Sequence, residues 1–202
     1  NAQIYSRTVD ISGTVENTIS VTVNDIVAYL SGNTFSAMLN LEAGLNTIAA
    51  VANDKYGRTA CDTIAVDIKI GKISGTVTTS ITGSLLPLAM ISITDFKGNT
   101  QTVATDNSGS FNAEIAAGTY SGSVEKPGYL PYLFSGAVAV GGASTVNVPL
   151  TPIPPSIENI NVTDITQNSA KINWTTDQIT GGSVEYGKTI AYGGIISDSI
   201  ED

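Results

Sequence analysis

Along most of this chain, apolar and polar residues alternate one for one. In TISVTV, Ile19, Val21 and Val23 fall on one side and Thr18, Ser20 and Thr22 on the other. TIAVDIK groups Ile64, Val66 and Ile68 in the same way, and AKINWT groups Ala170, Ile172 and Trp174. A repeat of two is that of a β-strand with one dry face. No stretch keeps a helical period for three turns, and Thr, Val and Ile suit a pleated surface. Turn-forming clusters punctuate the alternation: SGN at 31–33, EAG at 42–44, DKYG at 54–57, FKGN at 96–99, DNSG at 106–109 and KPG at 126–128. Short strands with such regular punctuation predict an all-β chain of tandem β-sandwiches.

Two seams divide the pattern. TPIPPS, from Thr151 to Ser156, carries three prolines. Proline cannot donate to a sheet ladder, so this stretch reads as a semi-rigid linker. The second seam is DIKIGK, from Asp67 to Lys72, where one strand run ends and another begins. The pentapeptide ISGTV occurs on both sides of it, at 11–15 and at 73–77. Its recurrence marks modules, with Ser-Gly-Thr at a strand edge and the flanking Ile and Val facing inward. The expected organisation is three segments, 1–69, 70–152 and 153–202.

Composition narrows the functions. The 202 residues carry a net charge of −9, which leaves no basic stripe for nucleic acid. Only 13% are charged, about half the usual share, and Thr, Ser, Asn and Gly take their place. That balance is common in secreted and cell-surface β proteins. There is no His, which removes the usual general base and any Ser-His-Asp triad within the chain. The single cysteine, Cys61, rules out an intrachain disulfide and reads as a small buried strand residue. No apolar run is long enough to span a membrane as a helix. The chain opens on Asn1 and shows no leader pattern, as expected of a processed chain or a piece of a longer one.

Three resemblances follow the seams. The first segment, with ISGTV, VTVND and FSAMLNLEAGLNTIAAVANDKYG, resembles small bacterial Ig-like modules found beside secreted glycoside hydrolases. That likeness implies a structural or accessory role. The second, with ISGTV, PLAMISI, TDNSGSF, AGTY and KPGY, looks like a carboxypeptidase regulatory-like domain, a prealbumin-like sandwich. Here Asp106 and Asn107 suit a turn that bonds its own backbone, Gly109 suits a positive φ, and Pro127-Gly128 reads as a type II turn. Gly118 turns the chain so that Tyr120 enters the core. The third, with Trp174 and Val184-Glu185-Tyr186-Gly187, is similar to the fibronectin type III fold of the kind that precedes purple acid phosphatase domains. A full sandwich of that type needs about 100 residues, roughly twice the segment's length. Either a boundary cuts the domain, or its open edges pair with a neighbouring chain. Tyr186 and Tyr192 are expected in its core.

Candidate chemistry is sparse. Asp54, Asp106 and Asn107 have the flavour of calcium loops, although neither stretch closes with the Glu of a twelve-residue loop. Asp10, Glu16, Asp25, Asp62 and Asp67 supply further carboxylates near a junction. Glu158, Asp164, Glu185, Asp198, Glu201 and Asp202 match glycosidase carboxylates by residue type and read as solvated surface. Tyr129, Tyr132 and Phe134, in GYLPYLF, are the best local cluster for stacking on carbohydrate. Asn161 and Asn173 head glycosylation sequons. The sequence thus predicts a non-catalytic, extracellular modular region of a larger surface or secreted protein. Its role is that of a spacer, interaction or assembly module of an adhesin, surface layer or filament. No cofactor is expected, calcium being the one candidate, and its partners are other surface proteins, further copies through the third segment, or polysaccharide. The alternative is the carbohydrate-binding accessory region of a secreted hydrolase whose catalytic domain lies elsewhere.

Overall fold

The computed structural model describes residues 2–189 and 191–197. It is all-β, built from twenty strands among the described residues. The chain forms two compact units, Asn1–Pro152 and Ile153–Asp202, with the boundary inside the proline-rich stretch.

The first unit holds two sandwiches in series, each around its own buried cluster. The first sandwich uses β1 (Ala2–Ile4), β2 (Thr8–Thr14), β3 (Ser20–Val23), β4 (Ile26–Val27), β5 (Tyr29–Ser31), β6 (Thr34–Asn40), β7 (Gly44–Asn53) and β8 (Thr59–Ile68). One sheet runs β1-β8-β7-β3-β4 and faces a smaller one, β2-β6-β5. The alternation seen in the sequence sends Val21, Val23, Ile48, Val66 and Ile68 inward from the larger sheet, against Val9, Phe35, Ala37 and Leu39 from the smaller. The first half of β8 extends past its opposing sheet, and residues 59–64 are all exposed.

After Lys69 the chain enters β9 (Ile70–Thr79) without a loop. The second sandwich continues with β10 (Met90–Asp95), β11 (Thr100–Ala104), β12 (Ser110–Ala116), β13 (Gly118–Glu125), β14 (Tyr132–Val138), β15 (Ala143–Thr145) and β16 (Val148–Leu150). Its sheets are β11-β10-β13-β14 and β12-β9-β15, with β16 also paired to β9. Ile73, Val77, Ile91, Ile93, Val124 and Leu150 are fully buried between them. Tyr120 is buried, as its place after Gly118 predicted, and its hydroxyl shares a 2.7 Å hydrogen bond with Ser144 Oγ. Buried Thr105 staples a loop: its Oγ1 donates to Leu86 O at 2.7 Å and accepts from Ala89 N at 2.9 Å. Such pairing matters because an unpaired buried polar group costs about 1–3 kcal/mol.

The second unit consists of two ribbons, β17 (Ile157–Thr163) with β18 (Lys171–Thr176), and β19 (Ser183–Tyr186) with β20 (Gly194–Ser197). None of its described residues is buried. Tyr186 and Tyr192, expected as core, are each 52% exposed. The reason is architectural, since two-stranded ribbons have no second layer to close over their apolar side chains. Asp198, Glu201 and Asp202 lie outside the described residues.

Candidate interaction surfaces

The two copies of ISGTV occupy matching places. Gly13 lies across from Phe35 in the β2–β6 pair, and Gly75 across from Phe111 in the β9–β12 pair. At each, the missing side chain makes room for the aromatic neighbour. A Cβ on Gly13 would come within 2.6 Å of the Phe35 ring, and one on Gly75 within 3.1 Å of Phe111. The copies differ on their other edge. In the second sandwich β15 and β16 run parallel to β9 and cover it. Val146 N donates to Ser74 O at 2.9 Å, and Thr76 donates from both N and Oγ1 to Asn147 Oδ1 at 3.1 Å. Ile73 and Val77 are fully buried as a result. In the first sandwich β2 is the last strand of its sheet, and Ile11 and Val15 remain half-buried.

Those two residues line a cleft of about 480 Å³ between β2 and the free half of β8. Phe35, Ile48 and Ala50 form its apolar floor, and Glu16 and Asp62 stand at its rim. Asp62 shares the inward face of β8 with Ile64 and Val66, because alternate residues share a face. One of its carboxylate oxygens accepts from Thr63 N at 2.8 Å. Cys61, expected buried, is exposed, because it falls on the opposite face of β8 from Asp62, Ile64 and Val66.

The junction between the two sandwiches is tightly held. Arg7 donates from Nη2 and Nε to both oxygens of Glu114, at 2.8 and 3.3 Å, and from Nη1 to Glu42 at 2.8 Å. Arg7 and Glu42 belong to the first sandwich and Glu114 to the second. Arg7's hydrogen bonds hold the Glu114 carboxyl below its ordinary range, against the opposing effect of burial. Tyr5 packs edge-on against Phe96 at 5.9 Å, and Lys97 Nζ sits 4.1 Å over the Tyr5 ring. Ala117 N also bonds Lys69 O, at 2.9 Å. Nothing in the local sequence flagged Arg7, whose partner lies more than a hundred positions away.

The candidate calcium residues sit in turns of one design. Asp54, Asp95 and Asp106 each open an Asp-x-x-Gly loop. In all three the glycine N donates back to the aspartate O, at 3.1, 2.9 and 2.9 Å, and the glycine φ is +77°, +86° and +66°. One oxygen of each aspartate accepts backbone N–H groups two and four residues on: from Tyr56 and Arg58, from Lys97 and Asn99, and from Ser108 and Ser110. These bonds hold all three carboxyls below the ordinary aspartate value. For Asp54 the leading cause is the Arg58 backbone N–H, and for Asp106 the Ser108 hydroxyl. For Asp95 burial pushes upward and is outweighed by the bonds from Asn99 and Lys97. Asn107 is an exposed turn residue. No group of three or more metal-ligating side chains occurs among the described residues.

Of the aromatic cluster, Tyr129 and Phe134 are half-buried and pack on the core of the second sandwich. Phe134 meets Tyr120 edge-on at 6.2 Å. Tyr132 is 38% exposed. The KPG turn closes as expected, with Tyr129 N bonding Lys126 O at 3.1 Å. In the second unit Ile172, Trp174, Val184, Tyr186 and Ile196 share an open apolar cleft of about 590 Å³.

Residues 72–151 match the family model of the carboxypeptidase regulatory-like domain. A comparison with curated proteins finds no match. Among solved structures the chain is similar to BcpA, the major pilin subunit of Bacillus cereus, at 13% identity and a TM-score of 0.40, over 74% of this chain and 60% of that one. It is also similar to the major pilin SpaD of Corynebacterium diphtheriae, at 9% identity and a TM-score of 0.40, over 74% and 55%. The TIE protein of Bacillus anthracis aligns at 10% identity and a TM-score of 0.43, over 96% and 49%. The chain therefore spans about half to two thirds of the length of these proteins.

Proposed function

We propose that this chain is a non-catalytic modular region of a larger extracellular or cell-surface protein. Its segments 1–69, 70–152 and 153–202 act as an Ig-like, a regulatory-like and a fibronectin III-like module. The first two form a stiff spacer, and the third is an assembly surface. The observation that carries the spacer role is the junction. A strand passes from one sandwich to the next across a single residue, and Arg7 ties carboxylates of both. The match of residues 72–151 to a regulatory-like, rather than a catalytic, domain supports the same reading.

The assembly role rests on the ribbons of the second unit. Ile157, Ile160, Ile165, Ile195 and Ile196 are each more than 60% exposed there. Apolar surface of this density, on strands with free edges, favours pairing with another chain. Light scattering across a wide concentration range tests it. The mass should rise above 20.8 kDa with concentration, and paired Ile172→Lys and Ile196→Lys substitutions should return it to that value. A mass that stays at the monomer value throughout rules the assembly role out.

A further inference from the structure

ISGTV is written twice, and the second copy shows what its edge can hold. In an antiparallel pair, alternate residues turn their backbone groups toward the partner strand. Arg7 O and Val15 N bond Leu41 and Asn33 on the β6 side, so Asp10, Ser12 and Thr14 turn theirs outward. On β9 the equivalent outward groups are those of Lys72, Ser74 and Thr76. All three are taken by the parallel segment from Gly142 to Asn147. Ser12 and Thr14 match Ser74 and Thr76 in residue type and in position, down to the glycine between them and its facing phenylalanine. Among the described residues, no strand pairs with their outward side. The flanking Ile11 and Val15 face the apolar cleft instead of a covering strand. The cleft rim carries Glu16 and Asp62, no lining residue is cationic, and neither carboxylate has an ion-pair partner among the described residues.

We propose that the open edge of β2 receives an extended strand from another polypeptide, parallel to β2. The strand is apolar at alternate positions and offers a side-chain acceptor to Thr14. It also carries a lysine or arginine toward Asp62 and Glu16. The occupant is a peptide strand rather than a small ligand because the unmet groups on β2 are backbone groups spaced for a ladder. Parallel direction follows from the covered copy. The cleft supplies burial for the alternate apolar side chains, and the two carboxylates select charge. This goes beyond the spacer role proposed above by giving the first sandwich a partner class. It involves the first sandwich, whereas the assembly test reads the second unit, so either can fail alone.

The probe is a blocked peptide of the chain's own residues 143–150, Ala-Ser-Thr-Val-Asn-Val-Pro-Leu, and a version extended by one lysine. Each is titrated to about 1 mM into the isotope-labelled full chain and followed by amide NMR. Shifts are expected at Ser12 to Val15 and at Asp62 to Ile64, with the lysine version binding more tightly and losing that advantage in salt. Thr14→Pro removes the outward N–H and the hydroxyl together, the two donors that Thr76 uses on the covered copy, at an edge-strand position where proline is tolerated. It should weaken binding roughly thirtyfold, the worth of about two hydrogen bonds. A parallel variant, with the peptide's asparagine replaced by leucine, should weaken binding similarly without touching the protein. Absence of shifts on β2, shifts confined to Ser74 and Thr76 (strand exchange at the covered copy), or equal binding by Thr14→Pro would each overturn the proposal.

Discussion

Adding one methyl group to each copy of ISGTV should have very different consequences. At Gly13 the new Cβ meets the edge of the Phe35 ring at 2.6 Å, the outer part of a side chain that can turn. Turning it off its preferred rotamer costs about 0.5–1.5 kcal/mol. Replacing glycine where φ is ordinary returns about 0.4–1 kcal/mol through the unfolded chain. Gly13→Ala should therefore change stability by no more than about 1 kcal/mol. At Gly75 the Cβ would overlap the Val146 carbonyl, which is backbone and belongs to the covering segment where β15 leads into β16. Relief requires that segment to lift. Lifting breaks the Val146 N to Ser74 O bond and both Thr76 bonds to Asn147, each worth about 0.5–1.5 kcal/mol. It also brings water toward Val148, which is 1% exposed and whose full burial is worth about 1.5–3 kcal/mol. After the gain from the unfolded chain, Gly75→Ala should cost about 3–5 kcal/mol. The assay is a urea titration read by peptide-resolved hydrogen–deuterium exchange, so that each sandwich reports separately. Equal costs at the two glycines, or a Gly75→Ala cost below about 1 kcal/mol, would refute the idea that the second copy is covered and the first is not.

Two further predictions concern the junction and the turns. Arg7→Ala should broaden the distance distribution between spin labels placed on the two sandwiches while moving the thermal midpoint by no more than about 4 °C, since exposed ion pairs add little stability but fix geometry; an unchanged distribution would remove Arg7 as a clamp. Asp54, Asp95 and Asp106 have folded pKa values below the unfolded one, so their stabilisation is complete above the ordinary aspartate value of about 3.9 and is lost as pH falls through the lowered folded values. Thermal midpoints should thus drop on acidification below about pH 4, and Asp95→Asn should flatten that drop; an identical pH profile for the variant would show that this carboxylate does not contribute to it.

Features set by local physics were legible in the residues alone. Period-two alternation placed the strands and their dry faces, because successive side chains on a strand must point opposite ways. Asp-x-x-Gly and Lys-Pro-Gly marked turns because their conformations depend on a few adjacent residues. Tyr120 followed from Gly118 for the same reason. The positions of Asp54, Asp106 and Asn107 were legible as turns, and the structure shows the aspartate oxygens taken up by backbone N–H groups. Which edges and faces are covered depends instead on how distant segments pack. Identical pentapeptides end up buried at Ile73 and half-open at Ile11, because the covering strand comes from residues about seventy positions downstream of one copy. Tyr186 has a strand pattern no different from that of a buried residue, yet it is exposed because its ribbon has no closed second layer over it. Arg7 finds Glu114 across more than a hundred residues. Pairing between distant segments leaves no mark in either segment, since backbone groups at a strand edge are the same whether or not a partner arrives.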